Sequence, residues 1–216
     1  MSILIANSAD AAHYLKQNQN NLQKSLKRLS SGKRITGGGD DPGGLAVAMK
    51  INASIKRLAG ADNNVQNAMS YMEVQDGLLE TAGNIITRIS ELKGLHSDDP
   101  LKSTANQTAY NTELTDLVAQ LDDMKSATFN GEDLFETEQT INYDEDTAAD
   151  LTLAASGFAT AVSSLDSKND FANTSVTDID TALDAVAALR AQNGSGQNRL
   201  QFTAQSLSLQ RINMAA

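Results

Sequence analysis

The sequence predicts a mainly α-helical chain: a long antiparallel coiled-coil or helical-bundle rod with a small β-hairpin region in the middle of the chain. Three observations carry this expectation. Apolar residues recur in steps of three and four over long stretches, as a one-sided helical stripe requires. The 216 residues are 40% apolar but only 4% aromatic, with no Trp, so a core must be built mainly from Leu, Ile, Val, Met and Ala. Such a composition favours helix seams over a thick globular core. The only two prolines, Pro42 and Pro100, each follow a pair of aspartates. Asp-Pro starts a helix, with Asp as the cap and Pro at the first helical position.

The first amphipathic segment runs from about Asn7 to Leu29 and carries Leu15, Leu22, Leu26 and Leu29 on one face. Asn18, Gln19, Asn20 and Asn21 dilute it with weak helix formers, so this arm is expected to be weakly ordered on its own. Ser30, Ser31 and Gly32 end the period, Gly37 to Gly39 allow backbone angles closed to other residues, and Asp41-Pro42 restarts a helix. From Leu45 to Leu95, residues Ile51, Ile55, Leu58, Val65, Met69, Met72, Leu79 and Ile86 fall in one heptad register. A continuous helix there is about 70 Å long at ~1.5 Å per residue. The same register places Asp62, Asp76 and Gly83 on the seam, so the stripe is read as drifting toward Ala68, Ala82, Ile89 and Leu92.

A further helix follows Asp99-Pro100, with Leu114, Leu117, Val118, Leu121 and Met124 at core spacing, and Phe129-Asn130-Gly131 stops it. Its short link to the preceding helix implies antiparallel neighbours. Between Glu132 and about Val176 the helical period fades. Thr140 to Tyr143 and Leu151 to Leu153 have strand-like composition around the acidic turn Asp144-Glu145-Asp146, which reads as a hairpin. The helical period returns with Ile179, Leu183, Val186 and Leu189 after Thr177-Asp178. It continues past Gly194-Ser195-Gly196, read as flexible, to Leu200, Leu207 and Ile212. The expected division is residues 1–40 as an arm and joint, 41–131 as the first rod helices, 132–176 as a short acidic β-containing segment, and 177–216 as the returning helix.

Charge is uneven. Residues 1–60 carry a net +6 and residues 61–216 a net −16. Lys24, Lys27, Arg28, Lys33 and Arg34 interleave with a Leu period and have no aromatic neighbours for base stacking. That argues against nucleic acid and for a solvated or subunit-facing helix side. No run of about 20 apolar residues exists to insert in a membrane, and no conventional cleaved signal is visible. With no Cys and only His13 and His96, neither a metal site nor a catalytic triad has its parts. The reading is of a non-enzyme without cofactor or metal. Asp144, Glu145, Asp146 and Asp150 lack the spacing of a calcium loop, and Gly37-Gly38-Gly39 lacks the Gly-Lys-Ser/Thr of a phosphate cradle.

The block Leu29-Ser30-Ser31-Gly32-Lys33-Arg34-Ile35 followed by Asp40-Asp41-Pro42-Gly43-Gly44-Leu45-Ala46-Val47-Ala48 resembles the N-terminal signature of bacterial flagellins. That signature reads L-S-S-G-x-R-I and D-D-(P/A)-A-G-L-A-I-A. Phe129-Asn130-Gly131 resembles the family's F-N-G turn, and Gln197-Asn198-Arg199-Leu200 resembles the Q-N-R-(L/F) motif of the returning C-terminal helix. The four motifs occur in family order. The resemblance implies a structural subunit of the extracellular flagellar filament that packs against other flagellin subunits. It also implies passage through the flagellar export machinery. A hook–filament junction protein, and a secreted helical rod that binds a host receptor or an assembly regulator, are the alternatives.

Family members continue beyond the Q-N-R motif with a helix that pairs with the N-terminal arm. The pattern here stops at Ala216, which reads as a fragment expected to stay monomeric and to make no long filaments. The short middle implies little outer decoration. Arg88-Ile89-Ser90-Glu91-Leu92 resembles the R-V-R-E-L segment through which some flagellins are recognised by a vertebrate innate immune receptor, with Ser90 in place of the second Arg. Arg88, Glu91, Leu92, Thr112 and Glu113 are therefore the candidate surface, and subunit packing is its favoured role.

Overall fold

In the computed structural model, residues 2–98, 103–143, 150–153 and 157–215 are described. The chain divides into two compact units, Met1–Ser54 and Ile55–Ala216. Its helices are α1 (Ser2–Ser31), α2 (Pro42–Asp98), α3 (Thr104–Lys125), the short α4 (Phe158–Ala161) and α5 (Val176–Ala215). Strands β1 (Thr128–Phe129), β2 (Glu132–Asp133), β3 (Gln139–Asn142) and β4 (Asp150–Leu153) form two antiparallel pairs, β1 with β2 and β3 with β4. The fold is mainly α.

In the first unit, α1 ends where its period ends. Gly32 takes a left-handed φ of 65°, which a residue with Cβ adopts only at a cost. None of Gly37, Gly38 and Gly39 has a positive φ, so the special backbone angles expected of them are not used. The restart of α2 is capped as expected: Asp41 Oδ1 accepts the Gly44 backbone N–H at 2.9 Å, and Pro42 occupies the first turn. Gly44 is required for this cap. A Cβ there would lie 2.9 Å from both Asp41 Cγ and Ile35 Cδ1 and would strike Asp41 Oδ2.

Gly44→Ala is therefore expected to displace the cap and open the first turn of α2 by about 1 kcal/mol, despite the better helix propensity of Ala. Gly43→Ala, whose Cβ would make only an ordinary 3.6 Å contact, is expected to leave the cap intact. Amide exchange at residues 44 and 45 separates the two.

In the second unit, the buried residues of α2 are Leu58, Ala61, Val65, Ala68, Met72, Gln75, Leu79, Ala82, Ile85, Ile86, Ile89 and Leu92. From Leu58 to Ile89 the seam positions alternate in steps of three and four, with Ile85 beside them. One column of the expected register, Leu58 to Ile86, is in place. The other lies one residue earlier than a strict heptad puts it, on Ala61, Ala68, Gln75, Ala82 and Ile89. The expected drift toward Ala68, Ala82, Ile89 and Leu92 is therefore in place, all four being buried. The second column is small or polar, so hydrophobicity alone directs the eye to Ile55 and Met69, which flank it.

Asp62 and Asp76 lie at the edge of this seam, where Arg211 and Arg190 of α5 meet them at 3.7 and 3.2 Å. These pairs set α5 antiparallel to α2. On α5 the buried column is Ile179, Val186, Asn193, Leu200 and Leu207. Helix α5 runs unbroken through Gly194-Ser195-Gly196, which corrects the expectation of flexibility. A Cβ on Gly196 would strike Met72 Cε and sit 3.1 Å from its sulfur, so this glycine makes room for the end of the Met72 side chain.

The start of α5 is a capping box: Ser175 Oγ accepts the Asp178 N–H at 3.0 Å, and Asp178 Oδ2 accepts the Ser175 N–H at 2.9 Å. The Ser175 N–H, with Lys168 Nζ at 3.0 Å and the Ser175 hydroxyl, pulls the Asp178 carboxyl down to about 2. This carboxylate favours the folded state fully above the unfolded value of about 4. Its contribution is lost as pH falls toward and through about 2. A side-chain carboxyl titration is expected to show a midpoint near 2, with the first turn of α5 gaining amide exchange over the same interval. A midpoint near 4 would contradict the capping box.

Helix α3 starts at Thr104, with Ser103 Oγ accepting the Asn106 N–H at 3.2 Å. The expected start at Asp99-Pro100 lies outside the described residues, as does the acidic turn Asp144-Glu145-Asp146. Helix α3 ends at Lys125, before Phe129. Asn130 and Gly131, with φ of 53° and 88°, instead turn the β1–β2 hairpin, whose central residues both need positive φ. The expected β3–β4 hairpin pairs Ile141 with Leu151, and its buried Ile141, Leu151 and Leu153 share a core with Leu58, Val65, Met72, Leu200 and Leu207.

The scarce aromatics are used against expectation. Phe135, Phe158 and Phe171 are fully buried, with Phe135 and Phe158 stacked at 4.7 Å. Together with Leu134 and Leu165, they turn the segment between the hairpins and α5 into a globular core on α2 and α3.

Candidate functional site

Three groups of candidate residues occupy three environments. At the joint of the first unit, Asp40 is the hub. Lys24 Nζ lies 2.6 Å from Asp40 Oδ1, and Arg28 lies 3.7 Å from Oδ2. Thr36 donates to Oδ2 through its hydroxyl at 3.0 Å and its N–H at 3.3 Å. The Lys24 ammonium, aided by Thr36, holds the Asp40 carboxyl well below the usual carboxylate range against the opposing effect of desolvation. The basic residues of this joint are thus partly consumed within it. Leu29, Ser30, Ser31 and Arg34 are exposed, while Ile35, Asp40 and Asp41 are half-buried.

The second group is split. Arg88 Nε donates to Glu113 Oε1 at 2.8 Å and Nη1 to Glu91 Oε2 at 3.0 Å, tying α2 to α3 on the open surface. Leu92 does not belong to that surface. It is 1% exposed, inside the core with Leu79, Leu114 and Phe171, because its position continues the buried stripe. Thr112 spends its hydroxyl on the Thr108 carbonyl of its own helix at 3.0 Å. Arg88, Glu91 and Glu113 form a real cluster, and Leu92 and Thr112 stand outside it.

The third group divides by helix face. Leu200 is fully buried, Asn198 and Arg199 are exposed, and Gln197 joins a buried amide ladder. Gln197 Nε2 donates to Asn193 Oδ1 at 2.8 Å, and Asn193 Nδ2 donates to Gln75 Oε1 at 2.6 Å and to the Met72 carbonyl at 3.2 Å. Gln75 Nε2 donates in turn to the Leu134 carbonyl at 2.5 Å. The ladder stitches α5 to α2 and to the β1–β2 region. Sequence reasoning missed Gln75 and Asn193, although Asn193 sits seven residues from both Val186 and Leu200 in an otherwise apolar column.

A family description, bacterial flagellin N-terminal helical region, matches residues 4–140. The chain belongs to the flagellin family. This flagellin is 33% identical over 209 residues to a flagellin of Halalkalibacterium halodurans, an alignment covering 92% of the chain and 76% of that protein. It is 31% identical over 220 residues to the flagellar filament 33 kDa core protein of Treponema phagedenis, covering 90% and 76%. Its fold is similar to the crystal structure of Bacillus cereus flagellin, with a TM-score of 0.60 at 24% identity over 67% of this chain and 88% of that one. It is a structural protein of the flagellar filament. In this flagellin the Q-N-R stretch and the helix joint have structural duties: Gln197 and Leu200 hold the two long helices together, and Asp41 and Gly44 form the cap of α2.

Proposed function

We propose that this flagellin enters the filament through a second apolar face of α5 that its own fold leaves uncovered. The observation that carries this reading is the exposure of Phe202, Leu209 and Ile212, at 70%, 62% and 59%, on a helix whose other face is already buried through Leu200 and Leu207. Phe202, Leu209 and Ile212 follow a helical spacing of seven and three, so they form one stripe. A stripe of this kind on a helix is a packing face. The Arg88, Glu91 and Glu113 cluster supplies a polar contact on the same unit, with partly exposed charges that set register and partner choice more than affinity.

In the first unit, Leu15, Leu22, Leu26 and Leu29 are 55–81% exposed and form a further helix face that a neighbouring helix would cover. Among the described residues, no helix is long and apolar enough to cross a membrane. Filaments of the family are extracellular, and export through the flagellar machinery is the route this reading assigns.

The test compares wild type with the Phe202→Asp, Leu209→Asp double variant under salting-out conditions. Both side chains are solvent-facing, so the variant's thermal midpoint is expected to stay within about 2 °C of wild type. Its threshold concentration for sedimentable assembly is expected to rise at least about tenfold, as the loss of two packed apolar side chains implies. Equal thresholds would remove α5 from the contact.

A further inference from the structure

Beside α2, α5 and β4 lies a cleft of about 300 Å³. Gln75 and Asn193, 6% and 3% exposed, line it, with Thr137, Gln192 and Ser195 as further polar groups and Arg199 also on its wall. Among the described residues no Asp or Glu lines it, in a chain with 27 acids and 17 bases. Glu136 and Glu138 adjoin Thr137 along the chain without reaching the lining.

Lys93 donates to the Phe171 carbonyl, and Lys125, Lys168, Arg190 and Arg211 each meet a carboxylate. Among the described residues Arg199 meets no carboxylate or carbonyl, as is true also of Lys56 and Arg57 in the same unit, and of these three Arg199 stands on the cleft wall. Gln75 has a similar surplus. Its amide nitrogen carries two N–H groups, and one is used by the Leu134 carbonyl. The other has no acceptor among the described residues, on a side chain more than nine-tenths buried.

We propose that this cleft binds a carboxylate group. A guanidinium offers the planar pair of donors that a carboxylate accepts, and a buried amide N–H adds a further donor inside a recess that, among the described residues, no carboxylate lines. One cation without a second matches a singly charged group. The group can come from an acidic side chain of a second copy of this chain or from a free small carboxylate, and the two sources are separable by experiment.

The full chain, labelled with ¹⁵N, is titrated with acetyl-glutamate amide, and with acetyl-glutamine amide as the neutral control. The expected result is saturable shifts at Arg199 Nε–H and at the side-chain amides of Gln75 and Asn193 with the acidic probe only. In Arg199→Gln, which keeps the wild-type thermal midpoint because the side chain is exposed, the affinity falls about tenfold or more, the worth of a charge-assisted hydrogen bond. Shifts that are absent, equal for the neutral probe, or unchanged in Arg199→Gln overturn the proposal. Sedimentation equilibrium of both proteins identifies the source. Weaker self-association of Arg199→Gln supports the proposal with a second copy as donor, and equal self-association of the two proteins, with the probe shifts of wild type weakened in Arg199→Gln, supports it with a free carboxylate.

Discussion

Phe158→Ala is expected to destabilise the Ile55–Ala216 unit by about 3–5 kcal/mol. Phe158 is 0% exposed and stacks on Phe135, itself 1% exposed, with ring centroids 4.7 Å apart and planes 29° from parallel. Truncation removes the buried ring, leaves a cavity, and strands the partner face of Phe135. The surroundings have little freedom to collapse, since α2, α3 and α5 all contribute side chains to the same core. For a unit of this size, the thermal midpoint is expected to fall by roughly 10 °C.

Phe202→Ala is the internal control. It deletes the same chemical group from a side chain 70% exposed and is expected to change stability by under about 0.5 kcal/mol. Chemical denaturation of both variants checks the pair. A loss below about 1 kcal/mol for Phe158→Ala would mean that the segment between the hairpins and α5 is not part of the cooperative core.

The second large effect concerns the amide ladder. Asn193→Leu removes two donated hydrogen bonds and one accepted one, leaving Gln75 Oε1 buried without its donor. Each unsatisfied buried polar group costs about 1–3 kcal/mol, and the added apolar side chain offsets part of this, so a net loss of about 2–3 kcal/mol is expected. Gln75→Leu strands the Leu134 carbonyl and the Asn193 amide in the same way. Because the two residues share one bond, the double Leu variant is expected to be less destabilised than the sum of the singles by about 1–2 kcal/mol.

The double variant has a second expected consequence. Val186 and Leu200 stand seven residues either side of Asn193, so an all-apolar column leaves the partly exposed Asp62–Arg211 and Asp76–Arg190 pairs to oppose a one-heptad slide of α5 along α2. Doubled or broadened amide resonances at residues 186–207 would report that loss of register. Additive destabilisation with a single set of sharp resonances would deny the ladder its role in alignment.

Much of the fold was legible because helices and turns are written locally. The C-terminal end of α1 and the start of α2 follow from Gly32 and Asp41-Pro42, whose preferences act within a turn of the chain. The β3–β4 hairpin was legible from two short stretches of strand-like composition around an acidic turn, and the Asn-Gly of β1–β2 carried a turn signal that was given to a helix stop instead. The globular core of Phe135, Phe158 and Phe171 was not legible, because isolated aromatics in an acidic, aperiodic segment give no period to follow.

At the candidate sites, sequence identified Arg88, Glu91 and Glu113 but grouped Leu92 with them. Neighbouring positions on a helix can face opposite environments, and Leu92 faces the core. Asn193 and Gln75 were passed over because a polar residue in an apolar column looks like a defect until its partner is known.

By itself the sequence determined the helical class, the two ends of the joint, the apolar character of the long helices and the family. Tertiary structure decided which of two adjacent columns on α2 is buried. Ile55 and Met69 are the more hydrophobic, yet the seam runs through Ala61, Ala68, Gln75 and Ala82. At Gly196 of helix α5 the end of the Met72 side chain occupies the space a Cβ would take, and Asn193 meets Gln75 within the seam. Periodicity states which residues share a face of one helix. Burial is a property of two surfaces together, and it is settled by the shape and the hydrogen-bonding groups of the partner.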